Sequence, residues 1–256
     1  MKNWLVLLFS FALSAGFCQP HLNAHAHNDY EHTRPLVDAL ENRFISIEAD
    51  VHLVNGRLLV SHNYPATTSK TLEELYLIPL DSIRKNNKGW IYKEEQVPLL
   101  LMIDIKTNGE ETFKTLSRLL SQFEESLNTP AHSGAIQVFV SGNRPIELIR
   151  NDTRHFAALD GRPEDLGLGY SAQEMPVISE NYKKIINWNG KGTPPQKELE
   201  NVMKLAAKVH AENKKLRLWG IPDTEHSWSV LLDAGVDLIN TDRLQELNQF
   251  LTNKRL

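Results

Sequence analysis

Chemistry-bearing side chains are concentrated in one early stretch of this 256-residue chain. Two histidines alternate there, His25 and His27, two carboxylates alternate further on, Glu48 and Asp50, and His62 closes the apolar run that follows. Residues two apart on a β-strand point to one face, so the members of each pair are expected to project together. Imidazoles can move protons and carboxylates can hold a hard cation, so this stretch predicts a catalytic site.

A third carboxylate at the end of a later apolar run completes an all-oxygen set. Glu48, Asp50 and Asp104 offer the oxygen ligands that suit Mg²⁺ or Ca²⁺ rather than zinc. Lys106 lies two residues beyond Asp104 on the same face and would add a positive charge for a phosphate group. A structural ion-pair network is the alternative, but three carboxylates against one lysine leave negative charge for a cation to balance. The sequence therefore predicts one divalent cation here.

His27 and His62 are the predicted acid–base pair. Cleavage of a phosphodiester needs one group to assist the attacking oxygen and another to protonate the leaving oxygen, and a histidine with a pKa of about 6.5 can do either. His25 shares the face of His27 but lies one pleat deeper, so it is as suited to orienting a neighbour as to reacting. We assign it a supporting role.

Strand-length apolar runs alternate with segments of helical period along the chain. Eight such runs predict a single-domain TIM (β/α)₈ barrel, since parallel strands joined by helices form right-handed βαβ units. An open doubly wound sheet is the second choice, because no Gly-rich phosphate loop follows the first strand. The predicted strands are Leu22–His27, Phe44–Asp50, Leu99–Ile105, Ile136–Ser141, His155–Leu159, Met175–Ser179, Leu216–Trp219 and Leu238–Thr241.

The N-terminus has the pattern of a secretory signal peptide. Lys2 precedes an apolar run, Trp4–Phe11, and small residues follow it. We therefore expect residues 1–18 to be a signal peptide, residues 19–256 to be the barrel, and the protein to be exported to a periplasm or secreted. A lipid anchor on Cys18 is the alternative, which the bulky Phe17 disfavours. The net charge of −4 gives no electrostatic case for nucleic acid, no transmembrane span is expected, and the sequence does not indicate any partner protein.

The same residues resemble the start of the glycerophosphodiester phosphodiesterase superfamily, which includes the phosphatidylinositol-specific phospholipases C and the sphingomyelinase D-like phospholipases D. Four features of that superfamily occur in this chain in the same order. They are an Ala-His strand end, a Glu-x-Asp-Val strand, a carboxylate-x-lysine strand and the closing strands. The matching segments are Ala26-His27, Pro35, Ala39-Leu40, Glu48-Ala49-Asp50-Val51, Asn55-Gly56, Val60-Ser61-His62, Met102-Ile103-Asp104-Ile105-Lys106, Leu218-Trp219 and Gly235-Val236-Asp237-Leu238-Ile239-Asn240-Thr241-Asp242.

The resemblance implies a TIM barrel that hydrolyses phosphoric diesters. His27 and His62 would be its catalytic histidines, and a divalent ion would lie on Glu48, Asp50 and Asp104. The expected substrate is a glycerophosphodiester or a related phospholipid-derived diester.

Three departures from the family pattern bear on the substrate. Asn28 stands where these diesterases usually place an arginine that contacts phosphate, and Asn63 replaces the Asp that usually follows the second histidine. Asp104 stands where they usually have Glu, which is closer to the sphingomyelinase D-like branch. We therefore expect a divergent bacterial branch of the superfamily. Its substrate-binding residues are predicted to be Lys106, Asn28 and Trp219.

Two alternatives come from other classes of protein. An amidohydrolase-type metal-dependent hydrolase is suggested by His25-x-His27 and by Asp242 after the last strand, but histidines at the ends of later strands are missing. A catalytically silent barrel could bind sugars or lipid head groups through Trp188, Trp219 and Trp228, although tryptophans more often pack in the core or at its rim.

Overall fold

The structure is a computed structural model that describes residues 19–255. The predicted signal peptide, with Cys18, lies outside the described residues. Within them no helix is both long enough and apolar enough to cross a lipid bilayer.

Nine strands form one sheet that closes on itself. Eight of them run parallel, and closure follows because β1 pairs with both β2 and β9. The predicted eight-stranded TIM barrel is therefore confirmed. The strands are β1 His21–Ala26, β2 Phe44–Val54, β3 Arg57–Val60, β4 Leu99–Ile105, β5 Ile136–Gly142, β6 Ala158–Gly161, β7 Val177–Asn181, β8 Lys215–Trp219 and β9 Leu238–Thr241.

Helices in the connections cover the outside of the barrel. The third helix shows why they form: the Asn108 side chain accepts a hydrogen bond from the Glu111 backbone N–H, and Phe113, Leu116 and Leu120 present one buried face. The α-helices are α1 Val37–Glu41, α2 Ile78–Asn86, α3 Gly109–Leu120, α4 Ile146–Arg150, α5 Tyr182–Ile185, α6 Gln196–Ala211, α7 Glu225–Asp233 and α8 Leu244–Arg255. A π-helical turn, Glu73–Leu77, leads into α2, and short 3₁₀ turns cover Asp29–Glu31, Ser121–Ser126 and Pro163–Asp165.

The strand β3 was not predicted, and it decides where His62 lies. The strand β2 continues beyond the barrel and folds back on β3 through Asn55 and Gly56, whose φ angles of 50° and 76° suit the turn of a two-residue hairpin. The hairpin returns the chain to the barrel mouth, where the Ser61 N–H donates to the Asp50 carbonyl at 3.2 Å.

The predicted fifth strand, His155–Leu159, is displaced along the chain. The strand observed there is β6, and His155 precedes it with a φ of 51°, a value that interrupts an extended segment. As a result, Asp160 and Arg162 rather than Leu159 stand at the carboxyl end of this strand.

Candidate active site at the barrel mouth

The three predicted metal ligands, Glu48, Asp50 and Asp104, meet at one edge of the barrel mouth, which we call the metal edge. Asp50 on β2 pairs in register with Asp104 on the neighbouring β4, and Glu48 lies two residues before Asp50 on the same face. One oxygen from each carboxylate lies within 4.8 Å of the other two. Glu48 and Asp50 are buried and Asp104 is half-buried, so the geometry brings together carboxylates that are far apart in sequence.

The hydrogen bonds around these carboxylates leave oxygen atoms for a cation. Oε2 of Glu48 accepts from Arg217 Nη2 at 2.7 Å and lies 3.0 Å from Nε2 of His25. Oδ2 of Asp50 lies 3.0 Å from Lys106 Nζ, whereas Oδ1 of Asp50 is buried and has no hydrogen-bond partner among residues 19–255. A buried carboxylate oxygen without a partner is costly. An all-oxygen set with such an orphaned atom fits a hard divalent cation.

The charge states of the carboxylates also fit a cation. Burial alone would raise the pKa of Glu48, but the charge of Arg217 and the hydrogen bond with His25 outweigh it and lower this pKa to about 2. Burial, together with the nearby Asp50 and Glu48, raises the pKa of Asp104 despite the opposing charge of Lys106. A bound cation would reverse that effect, because its charge favours the ionised carboxylate.

His25 faces the barrel interior and is fixed at both ring nitrogens. Nδ1 lies 2.7 Å from Ser46 Oγ and Nε2 lies 3.0 Å from Glu48 Oε2. Burial, followed by the charge of Arg217, lowers the pKa of His25 to about 4, so the ring is neutral near pH 7. These contacts orient Glu48 and agree with a supporting role.

His27 lies at the mouth beside a carboxylate from the last strand. Its Nδ1 is 2.7 Å from Asp242 Oδ1, just after β9. Burial by itself would lower the pKa of His27, but the hydrogen bond to Asp242 and the charges of Glu48 and Asp242 outweigh burial and raise it above 6.5. Because Nδ1–H donates to the carboxylate, Nε2 remains available to exchange a proton.

His62 reaches the metal edge from the hairpin. Its Nδ1 lies 3.1 Å from Asp50 Oδ2, and the side chain is about half exposed. Lys106 lies between the carboxylates, with Nζ 3.0 Å from Asp50 Oδ2 and 3.1 Å from Asp104 Oδ2. His62 and Lys106 thus contact the predicted metal ligands directly, whereas His27 contacts Asp242 and is influenced by the charge of Glu48.

The remaining predicted substrate-binding residues are placed differently. Asn28 has a left-handed backbone, with φ of 45°, and its Oδ1 lies 2.9 Å from the Tyr30 hydroxyl. The same hydroxyl lies 2.8 Å from Asp50 Oδ2. Asn28 therefore contacts the metal edge through Tyr30. Trp219 stands exposed at the carboxyl end of β8.

Sequence reasoning missed Tyr30, Arg217 and the role of Asp242 as a partner. Arg217 is buried and joins Glu48 to Asn240, which accepts from Arg217 Nε at 2.9 Å. An arginine in the apolar strand Lys215–Trp219 was the available signal, since such a charge is buried only when it is paired. Nothing in the spacing of Tyr30 or Asp242 indicated their partners.

Gly142 creates the space that Asp104 occupies. A β-carbon at this position would overlap with Oδ1 of Asp104 and with the Ile105 carbonyl oxygen, and the φ of Gly142 is +68°. We expect Gly142→Ala to displace Asp104 and weaken divalent-cation binding by about tenfold or more, as changes that disorient metal ligands do. Titration calorimetry with Mg²⁺ and Ca²⁺ measures this.

Gly167→Ala is the matched control for that prediction. Gly167 has a similar φ of +81° but no atom within 4 Å of the added carbon. An alanine at position 167 is strained by the positive φ but overlaps no neighbouring atom, so the affinity for the cation should be unchanged. Equal losses in the two variants would show that strain rather than the displaced carboxylate was responsible.

The pKa of His27 should depend on Asp242. In Asp242→Asn the carboxylate that stabilises the imidazolium is gone while the burial remains, so the pKa of His27 should fall. NMR titration of the His27 ring should show its midpoint moving to lower pH. A midpoint that does not change between the unaltered protein and Asp242→Asn would contradict the role given to Asp242. The ring of His132, which is exposed and precedes β5 at the end of the barrel opposite the mouth, serves as the internal control.

Comparison with known proteins gives the family. Residues 18–159 match the family model of the AIM6-like phosphodiesterase domain. Altered inheritance of mitochondria protein 6 of Eremothecium gossypii is 29% identical over 266 residues, covering 88% of this chain and 68% of its own length. Its homolog from Arthroderma benhamiae is 25% identical over 252 residues, covering 85% of this chain and 80% of its own length. Both organisms are fungi, so these relatives give no support to the expected bacterial branch.

Two solved structures share the fold. A glycerophosphodiester phosphodiesterase from Parabacteroides distasonis superposes with a TM-score of 0.57 at 15% identity, covering 93% of this chain and 100% of its own. A glycerophosphodiester phosphodiesterase from Agrobacterium tumefaciens superposes with a TM-score of 0.52 at 10% identity, covering 91% of this chain and 100% of its own. At these identities the likeness concerns the barrel fold. With the family match spanning more than half of its length, this chain belongs to the AIM6-like phosphodiesterase domain family.

Proposed function

We propose that the protein is a metal-dependent phosphoric diester hydrolase. The observation that carries this proposal is the set of three carboxylates with an orphaned buried oxygen, flanked by two histidines and a lysine. The divalent cation, Mg²⁺ or Ca²⁺ on Glu48, Asp50 and Asp104, would supply charge stabilisation for the phosphoryl oxygens. The family match and the fold support phosphodiester chemistry, and a glycerophosphodiester or related phospholipid-derived diester is the proposed substrate.

Residues of the chain itself bind the phosphate and transfer the protons. Lys106 binds a non-bridging phosphate oxygen by its charge. His27 is the base: Asp242 holds its Nδ1 proton and raises its pKa, so neutral Nε2 takes the proton of the attacking hydroxyl or water. His62, whose Nδ1 is held by Asp50, presents Nε2 to protonate the leaving oxygen.

The arrangement does not favour an amidohydrolase. That class needs histidines as metal ligands, yet the cluster of three or more metal-ligating side chains found among residues 19–255 contains carboxylates alone. His25 and His27 do not form a ligand pair either, because His25 contacts Ser46 and Glu48 while His27 contacts Asp242.

A substrate panel tests the proposal directly. Protein comprising residues 19–256 is assayed with bis(4-nitrophenyl) phosphate, glycerophosphodiesters, lysophospholipids and inositol phospholipids, each with Mg²⁺, Ca²⁺ or EDTA. We expect cation-dependent hydrolysis of the aryl diester and of at least one natural diester, and loss of both with EDTA. Activity that survives EDTA would exclude the cation, and absence of hydrolysis with every cation would exclude the diesterase function.

A further inference from the structure

Two arginines stand on the wall of the mouth next to the metal edge. Arg144 follows β5 by two residues and Arg162 directly follows β6. Their side chains are 14% and 23% exposed, so both are largely shielded from solvent. Because the carboxyl ends of the strands form the mouth of a TIM barrel, both cations lie at the same end as the metal-ligand carboxylates.

The two guanidinium groups converge on one atom. Nη1 of Arg144 donates to the backbone carbonyl of Asp160, and Nη1 of Arg162 donates to the same oxygen at 3.2 Å. Burial, followed by the charge of Arg162, lowers the pKa of Arg144, which remains a cation near neutral pH. Two adjacent and partly desolvated cations repel each other, so an anion bound between them would be stabilising.

The neighbouring carboxylates do not use all of the arginine donors. Both side-chain oxygens of Asp160 accept from serine hydroxyls, and Oδ2 also accepts from Arg162 at 2.7 Å. Asp165 Oδ2 lies 3.6 Å from Arg144 Nη1. Of the five N–H groups on each guanidinium, those on Nε of both arginines and on Nη2 of Arg144 have no acceptor within residues 19–255.

The arginine pair lies close enough to the metal edge for one small molecule to reach both. Asp104 pairs in register with Ser141, whose Oγ lies 3.3 Å from Arg162 Nη2. Neighbouring strands are about 4.8 Å apart, so Arg144 after β5 lies about one strand spacing, and Arg162 after β6 about two, or roughly 10 Å, from Asp104 on β4. A second anionic group joined to the scissile phosphate by a short linker could bridge this span.

We propose that Arg144 and Arg162 form a subsite for a second anionic group on the alcohol portion of the substrate. This inference rests on the proposed diesterase function. The substrate class is accordingly a phosphodiester whose retained or leaving alcohol carries a further phosphate or a carboxylate. Neither arginine is assigned a part in the proton transfers.

Four 4-nitrophenyl phosphodiesters test the subsite, because all of them release the same chromophore. The second ester alcohol, which we call the arm, is 4-nitrophenol, glycerol, glycerate or glycerol phosphate. The first two arms are neutral, the third carries a carboxylate and the fourth carries a phosphate. A charge-assisted hydrogen bond contributes about 1.5–3 kcal/mol, so kcat/KM for an anionic arm should exceed that for the glycerol arm by about 10–100-fold. The better of the two anionic arms identifies the anion.

Arg144→Gln and Arg162→Lys are the informative variants. Arg162→Gln is avoided because it would leave buried Asp160 without its partner charge. Each variant should reduce the anionic preference by about tenfold through KM and leave hydrolysis of the neutral arms unchanged. Arg118→Gln, on the exposed face of α3, removes the same charge away from the mouth and should leave the preference intact.

A binding measurement separates this subsite from the diesterase proposal. With EDTA present, calorimetry with glycerol phosphate measures anion binding without the cation, and Arg144→Gln should weaken that binding by about tenfold. Retained binding without any hydrolysis would reject the diesterase function and keep the subsite. Equal kcat/KM for all four esters, binding unaffected by Arg144→Gln, or an equal loss in Arg118→Gln would overturn the subsite.

Discussion

Replacing His27 by alanine is expected to reduce kcat for aryl diester hydrolysis by about 10²–10⁴-fold, the contribution of a positioned general base or acid. The side chain accepts or donates through Nε2 at the mouth while Asp242 holds Nδ1. His62→Ala should cost a similar factor, because its ring is the other proton carrier. The measurement is the initial rate of 4-nitrophenol release at saturating cation.

Controls must show that the barrel survives these substitutions. Among the described residues, the contact of the His27 side chain is with partly exposed Asp242, so its removal leaves no buried charge unpaired, and the melting temperature should change little. His132→Ala, at an exposed position remote from the mouth, should retain full activity. Full activity in His27→Ala or His62→Ala would refute the acid–base assignment.

The other large effect is expected from Asp50→Asn. Asp50 supplies the orphaned oxygen and also accepts from Tyr30, His62 and Lys106, so its charge organises the whole metal edge. Loss of even an outer-shell partner costs 10–100-fold in metal affinity, so loss of this ligand should cost at least about a hundredfold. Hydrolysis should fall below detection at a cation concentration that saturates the unaltered protein.

Thermal unfolding gives a readout that does not depend on turnover. A cation at a hundred times its Kd stabilises the native state by about 2.7 kcal/mol. For a domain of this size that corresponds to a rise in Tm of roughly 5–10 °C. The unaltered protein and Asp233→Asn, an exposed carboxylate on α7, should show the rise, and Asp50→Asn should not. An equal rise in Asp50→Asn would place the cation elsewhere.

The fold could be read from the sequence because its signals are local. Apolar runs at strand length and helical periods along single segments predicted eight parallel strands, and seven of the predicted strands overlap the observed ones closely. The exception, near His155, arises because a left-handed backbone residue interrupts a run that looks extended by composition alone. The antiparallel β3 was missed because its four residues continue an apolar run already attributed to the approach to His62.

The three carboxylates, the histidines and Lys106 can be named from the sequence, but Tyr30, Arg217 and the hydrogen-bond partners of these groups cannot. Alternation along a strand tells which side chains share a face, so the spacing alone pairs Glu48 with Asp50 and Asp104 with Lys106. A carboxyl-end position in a barrel strand indicates that they meet at one mouth.

Only the tertiary structure determines which oxygen atom each donor group forms a hydrogen bond with. Barrel closure brings Asp242, just after the last strand, to His27, just after the first strand and 215 positions away. It also places Arg217 of β8 against Glu48 of β2 across the interior. The register of β4, β5 and β6 sets Arg144 and Arg162 beside the metal edge. Such contacts depend on strand pairing and ring closure between distant segments, which no local pattern encodes. The sequence by itself determined the barrel and the chemical groups at its mouth, and the closed sheet determined how their charges are paired.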